Sequence, residues 1–295
     1  MGLNGPQDTA PRIVATHDMP WDVGRAAVGL AAGTGADGET SSAGEGRYET
    51  KTFHHDPATG ERGFLARAPS GHAISHRYHH SAEESLVLGG ALDLRSDGVF
   101  TRGCYFWRPP GWVHASNRTD YWEAITFSVG RDAREGSGAH SDVLCSPDEE
   151  GSNPLHEERE LAVGPRGWVR HLDTTLMPWQ GGAQFSRSEA SMMAMRLDLV
   201  AVKVLSRNVD TGACTVLFRI GRGGVLAADQ PLSHDLKLFV LEGDLSVSGV
   251  PMTTGAFFHA PPSTVIGDGV SAEGALVLLK TDAWLDLPRL STGNS

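Results

Sequence analysis

The chain of 295 residues repeats itself, and this repeat constrains the fold more than any other feature of the sequence. Four segments recur in the same order: 19–21 (MPW) at 177–179 (MPW), 51–60 (KTFHHDPATG) at 203–212 (KVLSRNVDTG), 86–90 (LVLGG) at 239–243 (FVLEG), and 103–114 (GCYFWRPPGWVH) at 255–266 (GAFFHAPPSTVI). The offset stays near 152 residues in three of the four matches. A fixed offset of this kind indicates tandem copies of one domain. We therefore predict two domains, residues 1–145 and 146–295.

Each copy has the pattern of a β-protein. Short apolar runs bounded by glycine, such as 63–67 and 215–220, are typical of strands, and the period-two alternation at 91–94 and 244–248 is typical of strands with one buried face. The 36 glycines and 16 prolines favour many turns over long helices. The prediction is all-β, with each copy a sandwich or barrel.

Three segments are predicted to lie outside the strands. Residues 29–46 are rich in Gly, Ala, Ser and Thr and are expected to form a loop. Residues 131–159, which carry an acidic run and few apolar side chains, are expected to connect the two domains. The tail 290–295 is expected to fray.

The charge balance bears on partners and location. With 25 basic and 36 acidic residues the net charge is −11, which argues against nucleic acid and anionic membranes as partners. Three widely spaced cysteines do not suggest a disulfide framework, and the N-terminus has no signal-peptide pattern. We expect a cytoplasmic protein.

The residues suited to chemistry are concentrated in the first copy. Between Gly71 and Gly90 the chain carries His76, His79, His80, Glu83 and Glu84, and His114 follows a Pro-Pro-Gly turn about thirty residues later. Histidines two residues apart on an extended chain face the same side, and a carboxylate and a distant imidazole can complete a cage. Imidazoles with one carboxylate and open positions suit Fe, Mn, Ni, Cu or Zn. By strand alternation, His80 and Glu84 face away from this cage.

These two segments resemble the motifs of the cupin family, whose members are small jelly-roll β-barrels. The first cupin motif is Gly, five residues, His-x-His, three or four residues, Glu, six residues, Gly; the second is Gly, five residues, Pro-x-Gly, two residues, His, three residues, Asn. Gly103, Pro109, Gly111 and His114 match the second motif, and Asn117 lies one residue early.

The first motif leaves two registers open. Three-residue spacing places Arg77 and His79 at the two histidine positions before Glu83, whereas four-residue spacing places His76 and Tyr78 there. The ligand set implied by the resemblance is His79, Glu83 and His114 together with His76. Tyr78, as a proton donor, and Arg77, as a clamp for an anionic substrate, are the candidate catalytic residues.

The second copy departs from these motifs. Ile266 stands where the first copy has His114, and Ala228 and Asp229 correspond to His76 and Arg77. Pro231 or Leu232 replaces His79, and Asp235 or Leu236 replaces Glu83. We expect this barrel to lack a metal, whereas Trp21 and Trp179, kept in both copies, should be packing anchors.

The segments that precede each barrel look most like those of ChrR-type cupins, so we interpret the chain as a bicupin of two tandem jelly-roll barrels. The resemblance implies a metal-dependent dioxygenase or other oxygenase acting on a small enol, phenol or diketone-like molecule. Fe(II) is the first choice of metal, with Zn, Mn or Ni as alternatives. The other functions considered are a ChrR-like metal-binding sensor and a non-redox cupin isomerase or cyclase. A homodimer is the expected assembly.

Overall fold

The computed structural model describes residues 10–23, 48–57, 59–118, 120–129, 143–156, 164–181, 199–226, 231–267 and 269–283. The predicted loop at 29–46 and the tail at 290–295 lie outside these residues, as do 131–142 and 157–159 of the predicted connection. The described residues contain strands and four 3-10 helices, at Thr16–Asp18, Arg95–Asp97, Pro147–Glu149 and Thr174–Leu176. In this part of the chain, no helix is long and apolar enough to cross a membrane.

The chain divides into two compact units. We call residues Pro20–Leu176 the first barrel, and Met1–Met19 together with Met177–Ser295 the second barrel. This division differs from the predicted boundary between residues 145 and 146, because 146–176 stay with the first barrel and 1–19 stay with the second.

The described residues of the first barrel form ten strands: β2 (Asp22–Val23), β3 (Glu49–His55), β4 (Arg62–Ala68), β5 (Arg77–Tyr78), β6 (Ala82–Asp93), β7 (Val99–Thr101), β8 (Cys104–Arg108), β9 (Trp122–Val129), β10 (Val143–Leu144) and β11 (Val169–Asp173). Its main sheet has the antiparallel order β11-β8-β6-β9-β4-β3-β2. Strand β7 pairs with β6, and β5 pairs with β10.

The second barrel is built from β1 (Arg12–Ala15), β12 (Gln180–Gly181), β13 (Val200–Arg207), β14 (Gly212–Ile220), β15 (Val225–Leu226), β16 (Leu236–Val247), β17 (Val250–Thr253), β18 (Ala256–Ala260), β19 (Gly269–Val270) and β20 (Ala275–Ala283). Its sheet order, β1-β18-β16-β20-β14-β13-β12, repeats that of the first barrel strand for strand. The prediction of an all-β protein with two tandem jelly-roll domains is confirmed.

The leading strands of the two repeats are exchanged. Strand β1, which precedes the first repeat, pairs with β18 of the second barrel, and β11, which precedes the second repeat, pairs with β8 of the first. The threonines that follow these strands make matching bonds: Thr16 donates from N and Oγ1 to the carbonyl of Gly255, and Thr174 does the same to Gly103. Each repeat therefore supplies one edge strand to the sheet of the other.

The repeated tryptophans lie against cations. The ring of Trp21 contacts Lys51 and Arg67, 4.7 and 4.0 Å from the ring centre, and the ring of Trp179 contacts the equivalent Lys203 and Arg219 at 4.3 and 4.5 Å. These cation–π contacts join the turn after each leading strand to two strands of the sheet that follows it. The same contact forms in both copies, which explains why both copies keep the tryptophan.

Alternation along β6 and β8 decides which side chains reach the interior of the first barrel. Cys104 and Phe106 of β8 lie in the buried apolar cluster of this barrel, so Arg108, two residues further, points to the same side. In the register of the pair, Glu83 lies opposite Arg108 and Ser85 lies opposite Phe106. The inner face is thus apolar in the middle and charged at the end where β6 begins and β8 ends.

Candidate metal centre

Three of the four predicted ligands come together at this charged end. His79 follows β5, Glu83 is the second residue of β6, and His114 follows the turn after β8. One ligand atom from each side chain lies within 4.8 Å of those of the other two. Nε2 of His79 is 3.9 Å from Oε2 of Glu83, and the centres of the two imidazole rings are 4.9 Å apart.

Backbone hydrogen bonds hold the two histidines side by side. Arg77 and His114 exchange N–H···O bonds of 3.0 and 2.9 Å, and the N–H of Gly111 donates to the carbonyl of His79 over 2.7 Å. Gly111 has φ +81°, and a Cβ built there would lie 2.1 Å from Oδ1 of Asn153. Glycine is needed in this turn both for the left-handed backbone and for the space.

The surroundings of His114 suit a neutral metal ligand. Its Nδ1–H donates to the carbonyl of Trp112 over 3.1 Å, which leaves the lone pair of Nε2 for a metal. Burial, followed by the charges of Arg108 and His79, holds the pKa of His114 well below its ordinary value, and the bond to Trp112 opposes this only in part. The imidazole therefore stays unprotonated at neutral pH.

Glu83 is held by a buried arginine that sequence reasoning missed. Nη1 of Arg108 donates to Oε2 of Glu83 over 3.1 Å, and Nη2 donates to Oδ2 of Asp97 over 3.3 Å. Asp97 in turn accepts from Nε of Arg170 over 2.7 Å. The sequence did contain a signal for this role of Arg108. Positions 104, 106 and 108 alternate as in a strand, which places Arg108 on the same inward face as the apolar residues, and a buried arginine needs a carboxylate partner.

The structure does not bring His76 into this group. Its Nε2 lies 3.0 Å from Oε2 of Glu150, which also accepts from Nε of Arg95 over 3.2 Å. By alternation along the extended chain around β5, Arg77 and His79 share one face, and His76 takes the other. The geometry thus follows the three-residue register of the first motif, in which Arg77 occupies the first histidine position.

The other residues singled out in the sequence, Arg77, Tyr78 and Glu84, lie near the three candidate ligands. Arg77 donates from Nε to the carbonyl of Ser75 and contributes to the low pKa of His114. Tyr78 takes the face opposite to Arg77, and its ring packs edge-on against His80. Glu84, on the other face from Glu83, is fully buried and accepts from the hydroxyl of Tyr105 over 2.7 Å.

Residues 143–156, which we call the strap, lie against both motif segments. Strand β10 pairs with β5, and the N–H of Cys145 donates to the carbonyl of His76. Further along, Val113 and the strap exchange backbone bonds through Ser152 and Gly151, and Nδ2 of Asn153 donates to the carbonyl of Pro110. This stretch was predicted to be part of a connection between domains; the described part of it is instead bonded to the segments that carry His79 and His114.

The second barrel has apolar residues at the equivalent positions. The β16–β18 register pairs Leu236 with Ala260, as β6–β8 pairs Glu83 with Arg108, so Leu236 replaces Glu83 and the same offset places Leu232 at the position of His79. Leu232, Leu236 and Ile266 all belong to the buried apolar core of this barrel. Of the alternatives left open for these positions, the structure favours the two leucines; Ala228 and Asp229 lie outside the described residues.

Comparison with known proteins agrees with this architecture. Residues 35–131 match the family described as the ChrR cupin-like domain. The chain has the fold of a protein of Nostoc punctiforme that carries a provisional dioxygenase assignment, with a TM-score of 0.69 over 98% of this chain and 89% of that one at 14% identity. Over residues 35–131 the chain thus resembles cupins, and its fold is that of two tandem jelly-roll domains.

Other solved structures share the fold with lower TM-scores. The oxalate decarboxylase of Lactobacillus farciminis, in its formate complex, aligns with a TM-score of 0.54 over 95% of this chain and 88% of that one, at 12% identity. Ylba of E. coli aligns with a TM-score of 0.52 over 95% and 94% of the two chains, at 8% identity. None of the curated proteins matches this chain in sequence. At such identities the solved structures show the fold alone.

The donor set fits a divalent metal ion. It offers two imidazoles, one of them kept neutral by burial, and one carboxylate held by a guanidinium, all within reach of one centre. The carbonyl partner on Nδ1 of His114 is the arrangement that fixes the ring and tautomer of a metal-bound histidine. His79, Glu83 and His114 are the residues that would hold the ion.

Proposed function

We propose that this protein is a metal-dependent oxygenase that binds Fe(II) through His79, Glu83 and His114 and acts on a small enol, phenol or diketone-like substrate. The observation that carries the proposal is the donor set itself. Two histidines and one carboxylate on one side of an ion, with the other positions open, are typical of non-haem Fe(II) oxygenases. The fold shared with a provisionally assigned dioxygenase supports the same class of reaction.

The interior of the first barrel suits reactive chemistry. Next to the donor group, the inner face is lined by a buried apolar cluster that includes Phe64 and Phe106. Such a lining excludes water from the substrate and strengthens electrostatic interactions at the site. Bound Fe(II) would supply Lewis acidity and one-electron chemistry toward oxygen.

The charge around the donor group favours an anionic substrate form. Burial is the main cause of the low pKa of His114, and the charge of Arg108 and, to a smaller extent, that of Arg77 lower this pKa further. Arg108 is already bonded to Glu83 and Asp97, so we assign the orientation of an enolate or phenolate oxygen to Arg77. Tyr78 as a proton donor stays a prediction, since alternation turns it toward His80.

Metal analysis and oxygen consumption test the proposal together. The full chain, purified without added metal and then reconstituted anaerobically with Fe(II), should bind about one ion and consume oxygen with a phenolic or diketone substrate. His114→Ala should lose both the ion and the oxygen consumption. His55→Ala, at an exposed position of β3, is the matched control and should keep both.

Other results would point elsewhere. One tightly held zinc with no oxygen uptake by any reconstituted form would overturn the oxygenase and favour the sensor or isomerase alternatives. No metal in the wild-type chain after reconstitution would overturn the metal centre as well.

A further inference from the structure

A line of four alternating charges runs from the candidate metal centre to the exchanged strand β11. Glu83 is bonded to Arg108, Arg108 to Asp97, and Asp97 to Arg170, with N···O distances of 3.1, 3.3 and 2.7 Å. Arg170 also donates to the carbonyl of Ser96, beside Asp97. Asp97 therefore accepts one guanidinium on each of its two carboxylate oxygens.

Burial increases along this line toward the middle. The side chains of Arg108 and Asp97 are only 4% and 7% exposed, whereas that of Arg170 is 49% exposed. A buried guanidinium is tolerated only when its partners are held in place, because an uncompensated buried charge is strongly destabilising. The position of Asp97 thus decides how Arg108 divides its hydrogen bonds.

The strand that supplies Arg170 belongs to the second repeat. Arg170 lies where the register of β11 against β8 shifts, between Val169 and Leu172. An irregularity of this kind re-aims side chains at the edge of a sheet. Here it accompanies a contact between Arg170 and the short helix Arg95–Asp97, which joins β6 to β7.

The consequence concerns the ligand Glu83. While Arg170 holds Asp97 in place, Arg108 is shared between two carboxylates, and this sharing limits the strength of its ion pair with Glu83. Without Arg170, Asp97 loses the partner on its Oδ1 and is held less firmly, so Arg108 shifts toward Glu83, its other anionic partner among the described residues. A carboxylate bound more tightly by a guanidinium is a poorer ligand for a cation.

We propose that Arg170 is a positioning residue for the metal centre, acting through Asp97 and Arg108 on the carboxylate of Glu83. The second repeat then contributes to the site of the first barrel through its leading strand, although its own barrel carries leucine and isoleucine at the ligand positions. This inference rests on the proposed metal site of His79, Glu83 and His114.

Mn²⁺ is the probe for the test, because its binding is measured without turnover. The full chain, stripped with chelator, is titrated with Mn²⁺ by calorimetry, and the EPR spectrum is recorded at saturating Mn²⁺. Arg170→Met should lower the affinity by about tenfold, in the range found for residues that support metal ligands, and should alter the EPR line shape. The Mn²⁺ affinity of Arg170→Lys should lie between those of the wild type and Arg170→Met, because lysine keeps the charge but lacks the planar guanidinium.

The control is Arg222→Met. Arg222 is a highly exposed arginine of the second barrel that pairs with Glu273 over 3.6 Å, so its loss should leave affinity and spectrum unchanged. Wild-type affinity and spectrum in Arg170→Met would overturn the positioning role alone. If that variant fails to fold, Arg170→Lys decides, and wild-type affinity there overturns the role. Absence of Mn²⁺ binding by the wild-type chain would overturn the proposed metal site and this inference together.

Discussion

Nε2 of His76 lies 3.0 Å from Oε2 of Glu150, and this pair joins the segment before β5 to the strap. Glu150 is further held by Arg95 and by the N–H of Ser96. The hydrogen bonds from His76 and Ser96 and the charge of Arg95 outweigh burial, which opposes them, and lower the pKa of Glu150. His76, which is bonded to Glu150, therefore holds the strap in place and is not needed as a metal ligand.

We therefore expect His76→Ala to keep its metal and lose part of its stability. The variant should still bind about one ion, whereas His79→Ala should bind none. Loss of the hydrogen bond to a carboxylate should cost about 1–2 kcal/mol of the free energy of unfolding, with faster amide exchange in the strap. Metal titration with hydrogen exchange checks both parts. If His76→Ala lost the ion as completely as His79→Ala, His76 would be a ligand.

The turn that carries His114 should be highly sensitive to a methyl group at Gly111. The added Cβ would lie 2.1 Å from Oδ1 of Asn153 and 2.8 Å from Cγ of Leu155, at a backbone conformation that itself costs alanine about 1–2 kcal/mol. Gly111→Ala should thus lower the free energy of unfolding by more than that backbone cost. It should also weaken metal binding, because the N–H of Gly111 holds the carbonyl of His79.

Gly249→Ala is the matched control for this substitution. Gly249 also has a positive φ, +78°, but nothing lies within 4 Å of a Cβ built there. It should show the backbone cost alone and keep wild-type metal affinity. The free energy of unfolding is measured by chemical denaturation and the metal affinity by Mn²⁺ titration. Equal losses of both quantities in the two variants would mean that crowding against the strap is unimportant.

Much of this architecture follows from local sequence pattern. The repeat and the strand alternation predicted two all-β domains, as the structure has them. The motifs included His79, Glu83 and His114 among the candidate metal ligands, and the structure brings these three residues together. Alternation also predicted correctly that Glu84 would take the opposite face from Glu83.

Non-local pairing could not be predicted in the same way. The segments before the two repeats are alike, so their sequences do not say which barrel each one joins, and β1 and β11 join the barrels of the opposite repeats. His76 shows the same limit, because its partner Glu150 is 74 residues away in a stretch whose charges predicted only a solvated connection.

The exchange of leading strands makes a prediction of its own. Thr174→Ala should increase amide exchange at the start of β8, near Gly103, and Thr16→Ala should do so at the start of β18, near Gly255. Each loses a side-chain hydrogen bond worth about 1 kcal/mol. Hydrogen exchange read by mass spectrometry checks the pattern, and each variant is the control for the other. Increased exchange at the other glycine in each case would contradict the exchanged pairing.

The second barrel should weaken in acid through Asp235. Burial raises the pKa of this carboxyl, but the hydrogen bond from His259 and the charge and hydrogen bond of Lys237 outweigh it and lower the pKa to about 2. Because the native pKa lies below the unfolded value of about 4, the ionised pair stabilises the fold above pH 4. This contribution is lost as the pH falls from about 4 to about 2.

Asp235→Asn tests this contribution. Allowing for solvent screening of a partly exposed pair, it should lower the free energy of unfolding by about 1–2 kcal/mol at neutral pH. The difference from wild type should shrink as the pH falls toward 2, because protonation removes the same charge from the wild-type protein. Asp210→Asn, at an exposed turn position, is the control and should change little at any pH. Thermal unfolding from pH 7 to pH 2 follows both variants, and a difference for Asp235→Asn that stayed constant over this range would show that the ion pair is not its source.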